Sequence, residues 1–591
     1  MRTTLLALLT LLSSRLDAAE PNTWVKLEDA KIVGRRWDVP VGYSPELKTF
    51  MVLGGRYTQA DAKKARSYDV LSLDPTGKWR NEFPADGKDW GTEFGEANAP
   101  GWKDEVWGFR DVAGNTRPNW TVYGTFSLGG KYAHDPDTDA FYFCAGGSTF
   151  RYYPKSRVWI DLKRKTGPER DYQGTLLWSS MTYDNEAKAF VLFGGGNLQT
   201  HRGDSGTWNF SPEIGAWEQI ETKGTPPVRA NSRLVYDPVH KLTVLFGGDQ
   251  LNQLIADTWL FDSTKKTWIE RTPVVSPSPR GGHALLWLPK AKKILLLGGY
   301  TYTSTTDYCA SLYKPLPLEA WTYDVPANQW DIIKRWEQDS PIGPPQTFLA
   351  AAVDEDDRVL VLDSQNRSWT CQFDLSKHDA TGTKKLGVEP GATVRRSGSH
   401  DPKWYTEGRR APDPSAVAER LEKLPTNQWV ILPTPNAPKM NMDWGSAVFD
   451  SKNDKIIRFS GGHSAYSGTA PTIYDVKTDR YSLPFAPEYP LEFVYGNDQV
   501  RGEWSFQGNP WMTGHTYKTT GYDPNLKAMV FVGHGYTYLF DAIAGKWLRL
   551  SDKNLFRADY YTNTVCTTPE GAVVWAQQLD GRGPWIWRFN P

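Results

Sequence analysis

The chain has 591 residues, 68 basic and 68 acidic side chains, 52 glycines, 41 prolines and 27 tryptophans. Zero net charge supplies no field to draw in nucleic acid or an anionic membrane surface. The glycine, proline and tryptophan content points to turn-rich β structure rather than a helical protein. Four cysteines (Cys144, Cys309, Cys371 and Cys566) exclude a disulfide scaffold and leave room for one or two bridges.

In chain order, residues 1–19 come first: Arg2, an apolar run Leu5–Leu12, then Ala18 and Ala19. This reads as a secretory signal and predicts a secreted or periplasmic mature protein. No later stretch is long enough and apolar enough to span a bilayer. Next comes NTWVKLED at 22–29, which has the sequence of a short aromatic strand.

One template then recurs: YSPELKTFMVLGG (43–55), HDPDTDAFYFCAGG (134–147), YDNEAKAFVLFGG (183–195), YDPVHKLTVLFGG (236–248), FDSKNDKIIRFSGG (449–462) and YDPNLKAMVFVGHG (522–535). Each is a tight turn, mostly around Asp-Pro or Asp-Asn, followed by an apolar strand that glycine stops. WLPKAKKILLLGG (287–299) lacks the aspartate; VDEDDRVLVLDS (353–364) and TTPEGAVVWAQQ (567–578) lack the glycines. Downstream of each lies a second hairpin, such as WLFDSTKKTWIE (259–270), with one aromatic on its last strand. Those aromatics are Trp79, Trp159, Trp217, Trp268, Trp330, Trp429, Tyr481 and Trp547. Four short strands per unit, repeated along the chain, are the pattern of β-propeller blades.

The di-glycine after an apolar strand, with a tryptophan on the following outer strand, resembles the kelch-repeat family, including the central propeller of galactose-oxidase-like proteins. The resemblance implies an all-β kelch-type propeller. Counting outer-strand aromatics, Trp24 included, predicts a single ring of eight or nine four-stranded blades over residues 20–591. The last copy ends at WIWRFNP without an outer strand, so 22–29 is expected to complete it by pairing with 584–590 and to close the ring.

Labelling the strands of a blade A to D from channel to rim, antiparallel order puts B–C loops and D-to-A links on one face. A–B and C–D turns take the other. Long insertions at 85–125, 300–320, 463–470 and 485–512 are expected on the first face, with 377–426 opposite, containing a short helix at 414–424 capped by Asp413 or Ser415. The di-glycine at 461–462 recurs without a histidine, so His463 and Tyr466 are additions to a structural turn. Asp498, Arg501, Glu503, Trp504 and Trp511 share one loop beside His515. Arg229, Arg280 and His283 sit at the starts of innermost strands.

Aromatic faces mixed with planar hydrogen-bonding groups suit a sugar. The expected site therefore uses Arg501, Glu503 and His515 for any acid–base chemistry, with the remaining eight residues binding ligand. The chain lacks the Tyr-His dipeptide on which a galactose-oxidase-like copper-radical site rests. It also has no histidine pair at metal-ligand spacing, so no metal and no cofactor is assigned. The expected partner is a carbohydrate or, alternatively, a protein bound to a non-catalytic scaffold. The expected state is a monomer, with no nucleic acid and no membrane span.

Overall fold

In a computed structural model the described residues are 20–27, 36–37, 39–54, 56–57, 70–73, 77–83, 131–145, 148–162, 167–168, 178–197, 202–250, 253–302, 313–336, 349–363, 367–395, 414–431, 445–459, 469–485, 505–506, 509–510, 517–533, 536–550, 563–576 and 585–588. They form two compact units. The first comprises residues 1–302 and 313–395, the second 303–312 and 396–591.

The repeated unit is two hairpins with the same turn chemistry. The aspartate that ends the first strand of a hairpin accepts backbone N–H groups two and three residues on. Asp184 takes those of Glu186 and Ala187, Asp237 those of Val239 and His240, and Asp541 those of Ile543 and Ala544. A left-handed residue then turns the chain into the second strand: Lys48, Lys188, Lys241 and Asp454 on A–B turns, Gly77, Gly215 and Lys266 on C–D turns. Apolar B strands such as Ala189–Phe193 and Lys293–Leu297 are buried almost throughout, because they lie inside the sheet with packed neighbours on both faces.

The first unit holds six sheets of this kind. Their A strands are Val41–Ser44, Tyr132–Asp135, Ser180–Asp184, Arg233–Asp237, Ala284–Leu288 and Ala350–Val353. Each A strand packs on the next, and that of the sixth sheet packs on that of the first. Hydrogen bonds mark the same succession. The indole N–H of an outer-strand tryptophan donates to a hydroxyl on the C strand of the preceding sheet. Trp217 reaches Thr149 (2.8 Å), Trp268 reaches Thr207 (2.9 Å), Trp330 reaches Thr258 (3.1 Å) and Trp79 reaches Ser368 (3.3 Å). The last of these joins sheet one to sheet six. On the turn face Tyr43 Oη donates to Glu355 across that same junction at 2.7 Å.

The sixth sheet is Ala350–Val353, Arg358–Leu362 and Ser368–Gln372, with Val25–Lys26 as its outer strand, Val25 opposite Thr370 and Lys26 opposite Trp369. The expected partner of 22–29, the strand at 584–590, is therefore corrected. Trp24 is buried among Trp336, Phe373 and Cys371 instead. The single ring of eight or nine blades is corrected with it, since the sheets divide between two units.

Because Val25–Lys26 fills the D position, the chain after Gln372 leaves the sheet. It forms helix α1 (Ala380–Leu386), capped by Asp379, against the outer strand Gln329–Arg335. It then adds Thr393–Arg395 to the B–C end of Gln253–Asp262. Residues 377–395 thus cross the rim from the turn face to the loop face, where a single-face C–D insertion was expected.

Among the described residues the second unit holds three sheets of three or more strands. Two are four-stranded, starting at Ser446–Asp450 and Thr520–Asp523. The third, Asn563–Thr568, Gly571–Ala576 and Trp585–Arg588, has three strands. Helix α2 (Pro414–Glu422) lies where a helix was expected and begins on proline, whose missing N–H costs nothing at the first helical position. Ser415 lies inside it; Asp413 is outside the described residues.

Candidate functional site

A cavity of about 510 Å³ lies within the first unit, lined by the A strands of all six sheets. Pro45, Pro136, Pro238 and Pro289, all from A–B turns, also line it, so it reaches the turn face. Its walls are mostly small or aliphatic, as at Ala350–Val353 and Leu285. Half-buried polar and aromatic groups sit among them: Tyr43, Tyr132, His134, Arg233 and Trp287. His134 Nε2 is 2.7 Å from Asp139 Oδ1, and Asp139 Oδ2 accepts from Ser44 Oγ of the neighbouring sheet. Burial, then the hydrogen bond to Glu355, pushes the Tyr43 phenol far above its ordinary range, so it stays a donor. Arg233 on one side and Asp354 and Glu355 on another give the cavity opposed charges. The arrangement can hold a ligand with apolar and polar parts.

Sequence reasoning passed over these residues. They adjoin the Asp-Pro turns, which look purely structural, and their convergence depends on six repeats facing one axis.

Of the residues named from sequence, three are described. Arg229 is fully buried. Its guanidinium donates to both carboxylate oxygens of Asp257 (2.7 and 2.8 Å), to Gly247 O (3.0 Å) and to Pro227 O (3.0 Å). Arg280 repeats this one sheet on, donating to Glu319 Oε2 (2.8 Å), Gly298 O (3.0 Å) and Ser278 O (2.9 Å). Gly247 and Gly298 are the first glycines of their di-glycine pairs, both left-handed. These arginines pin the di-glycine turns to a carboxylate and are enclosed rather than presented to a ligand.

His283 is also fully buried, edge-on to Phe246, and neither ring nitrogen has a partner among the described residues. Burial, then the nearby Arg233 and Arg280 cations, hold its pKa well below the usual 6.5. It is neutral at pH 7. Nearby, Asn231 Nδ2 donates to Tyr300 Oη (3.0 Å), and Tyr300 and Tyr302 both donate to Asp249. His463, Tyr466, Asp498, Arg501, Glu503, Trp504, Trp511 and His515 lie outside the described residues, as do 85–125 and most of 463–470 and 485–512.

Among the described residues no three His, Cys, Asp or Glu side chains gather as a metal ion would need. No helix among them is long and apolar enough to cross a membrane. Cys371 is a buried thiol whose pKa burial pushes up to about 12, and Cys566 is exposed.

No curated protein matches the chain. A family model described as the KLHDC2/KLHL20/DRC7 Kelch-repeats domain matches residues 138–372, from the second sheet to the end of the sixth. Kelch domains bind protein partners. Sheets of four antiparallel strands, di-glycine turns clamped by arginine, tryptophans bonded to the preceding sheet and this match agree: residues 138–372 are a kelch-repeat domain.

Proposed function

We propose that the first unit is a six-bladed kelch propeller, closed by the N-terminal strand, that binds a segment of a partner protein at the turn-face mouth of its channel. The observation that carries this reading is the cavity itself. Six equivalent strands converge on one space, which is apolar at its walls and edged by Tyr43, His134, Arg233 and Trp287. A signal at 1–19 would place the binding outside the cytoplasm.

The test is affinity capture with the full chain, wild type against an Arg233→Glu, Trp287→Ala double variant, followed by hydrogen exchange on each retained complex. A partner retained by the wild type, lost by the variant and protecting the A–B turns supports the reading. A partner held equally by both contradicts it. The alternative of carbohydrate recognition, with any modification of the sugar, rests on the sequence around His463, Tyr466, Arg501, Glu503 and His515. It is tested by a glycan array with an Arg501→Ala, Glu503→Ala control.

A further inference from the structure

Nine aromatics follow a left-handed residue by two positions at the start of an outer-strand sequence. The pairs are Asn22–Trp24, Gly77–Trp79, Arg157–Trp159, Gly215–Trp217, Lys266–Trp268, Asn328–Trp330, Asn427–Trp429, Asp479–Tyr481 and Gly545–Trp547. Eight of these lead into a strand paired in a sheet. The ninth does not. Asn427 has φ 56°, close to the 60° of Asn22, and NQWVIL repeats NTWVKL, yet Trp429, Val430 and Ile431 are exposed and in no strand. Trp24 is 5 % exposed, whereas Trp429 reaches 106 %. Among the described residues one sheet, Asn563–Arg588, has no outer strand.

The two end sheets of the second unit also expose apolar cross-strand pairs. Phe449 lies opposite Ile456 on the first, and Trp575 lies opposite Ile586 on the last; all four are exposed. The equivalent positions in the first unit are Tyr43 opposite Phe50 in sheet one and Leu362 opposite Ser368 in sheet six. There Tyr43, Phe50 and Leu362 share one core cluster, since sheets one and six are neighbours. The second unit thus carries both halves of that junction without its being made in the described residues.

We propose that the second unit is half of a propeller, completed by a second copy of this chain. Three sheets are fewer than the four to eight that close a ring. Two copies supply six, the number that completes the circuit in the first unit. In such a circuit the strand preceding the first sheet completes the last sheet beside it. In the paired half-rings that last sheet belongs to the other copy. The Trp429 strand of one copy therefore becomes the outer strand on Trp585–Arg588 of its partner, an exchange made twice about a twofold axis. The register follows from the first unit, where Lys26 faces Trp369: Ile431 faces Trp587, and Trp429 points toward Thr537, which occupies the place of Thr149, Thr207 and Thr258.

The full chain should sediment at micromolar concentration with twice the 66.7 kDa chain mass. Phe449→Asp, a change at an exposed site that leaves each copy's own core untouched, should return it to one. In a background lacking Cys309 and Cys566, chains carrying only Ile431→Cys are mixed with chains carrying only Trp587→Cys. A 431–587 disulfide between the two supports the exchange. A monomeric wild type, a dimer indifferent to Phe449→Asp, or a 431–587 bridge that forms only when both cysteines are on one chain overturns it.

Discussion

At the scale of single residues, several side chains that look like site residues hold the scaffold. Arg229 and Arg280 have their carboxylate partners 28 and 39 residues away, on the C strand beyond the di-glycine. Reading along the chain shows an arginine near a channel mouth, and only the folded sheet shows that Asp257 and Glu319 have claimed it. Breaking such a buried pair by removing one partner costs about 3–5 kcal/mol. His283 makes a different demand. Its folded pKa is depressed, so the unfolded chain takes up a proton first, and stability is lost as pH falls below the unfolded value near 6.5. The slope from this one group is about 1.4 kcal/mol per pH unit, continuing until the folded histidine itself protonates. Urea unfolding of His283→Gln between pH 7 and pH 5 should show that component removed. An unchanged pH slope would mean His283 finds a partner that the described residues do not supply.

At the scale of elements, the hairpins were legible because every ingredient is local: the aspartate acceptor, the left-handed residue, the apolar strand and the stopping glycine. The destination of NTWVKLED was not. Its two candidate partners, SWTCQF at 368–373 and WIWRFN at 585–590, both end a three-stranded repeat. The choice depends on how many sheets close a circuit, which no short segment encodes. The tryptophan bonds explain why outer strands of the first unit carry that residue, with one exception among its described tryptophan side chains. Sheet five has Ala320 where its neighbours have Thr258 and Ser368, and the Trp24 indole N–H has no partner. Trp330→Phe should therefore cost about 1 kcal/mol more than Trp24→Phe in chemical denaturation, the worth of one net hydrogen bond. Equal costs would remove the hydrogen bond from the account of the motif.

At the scale of the whole molecule, the nine sheets of three or more strands among the described residues divide six and three. The division was hidden because repeat period carries no mark where one circuit ends. The N-terminal strand decides it. Antiparallel order and the Leu27 N to Ser368 O bond make Lys26 and Trp369 a pair without mutual backbone hydrogen bonds, with side chains close enough for a disulfide. The most direct measurement compares two chains under mild oxidation by peptide mapping, one carrying Lys26→Cys with Trp369→Cys, the other Lys26→Cys with Trp587→Cys. The account requires an intrachain 26–369 bridge and no intrachain 26–587 bridge. A chain that links 26 to 587, or leaves 26 and 369 apart, would contradict closure of the first unit by its N-terminal strand.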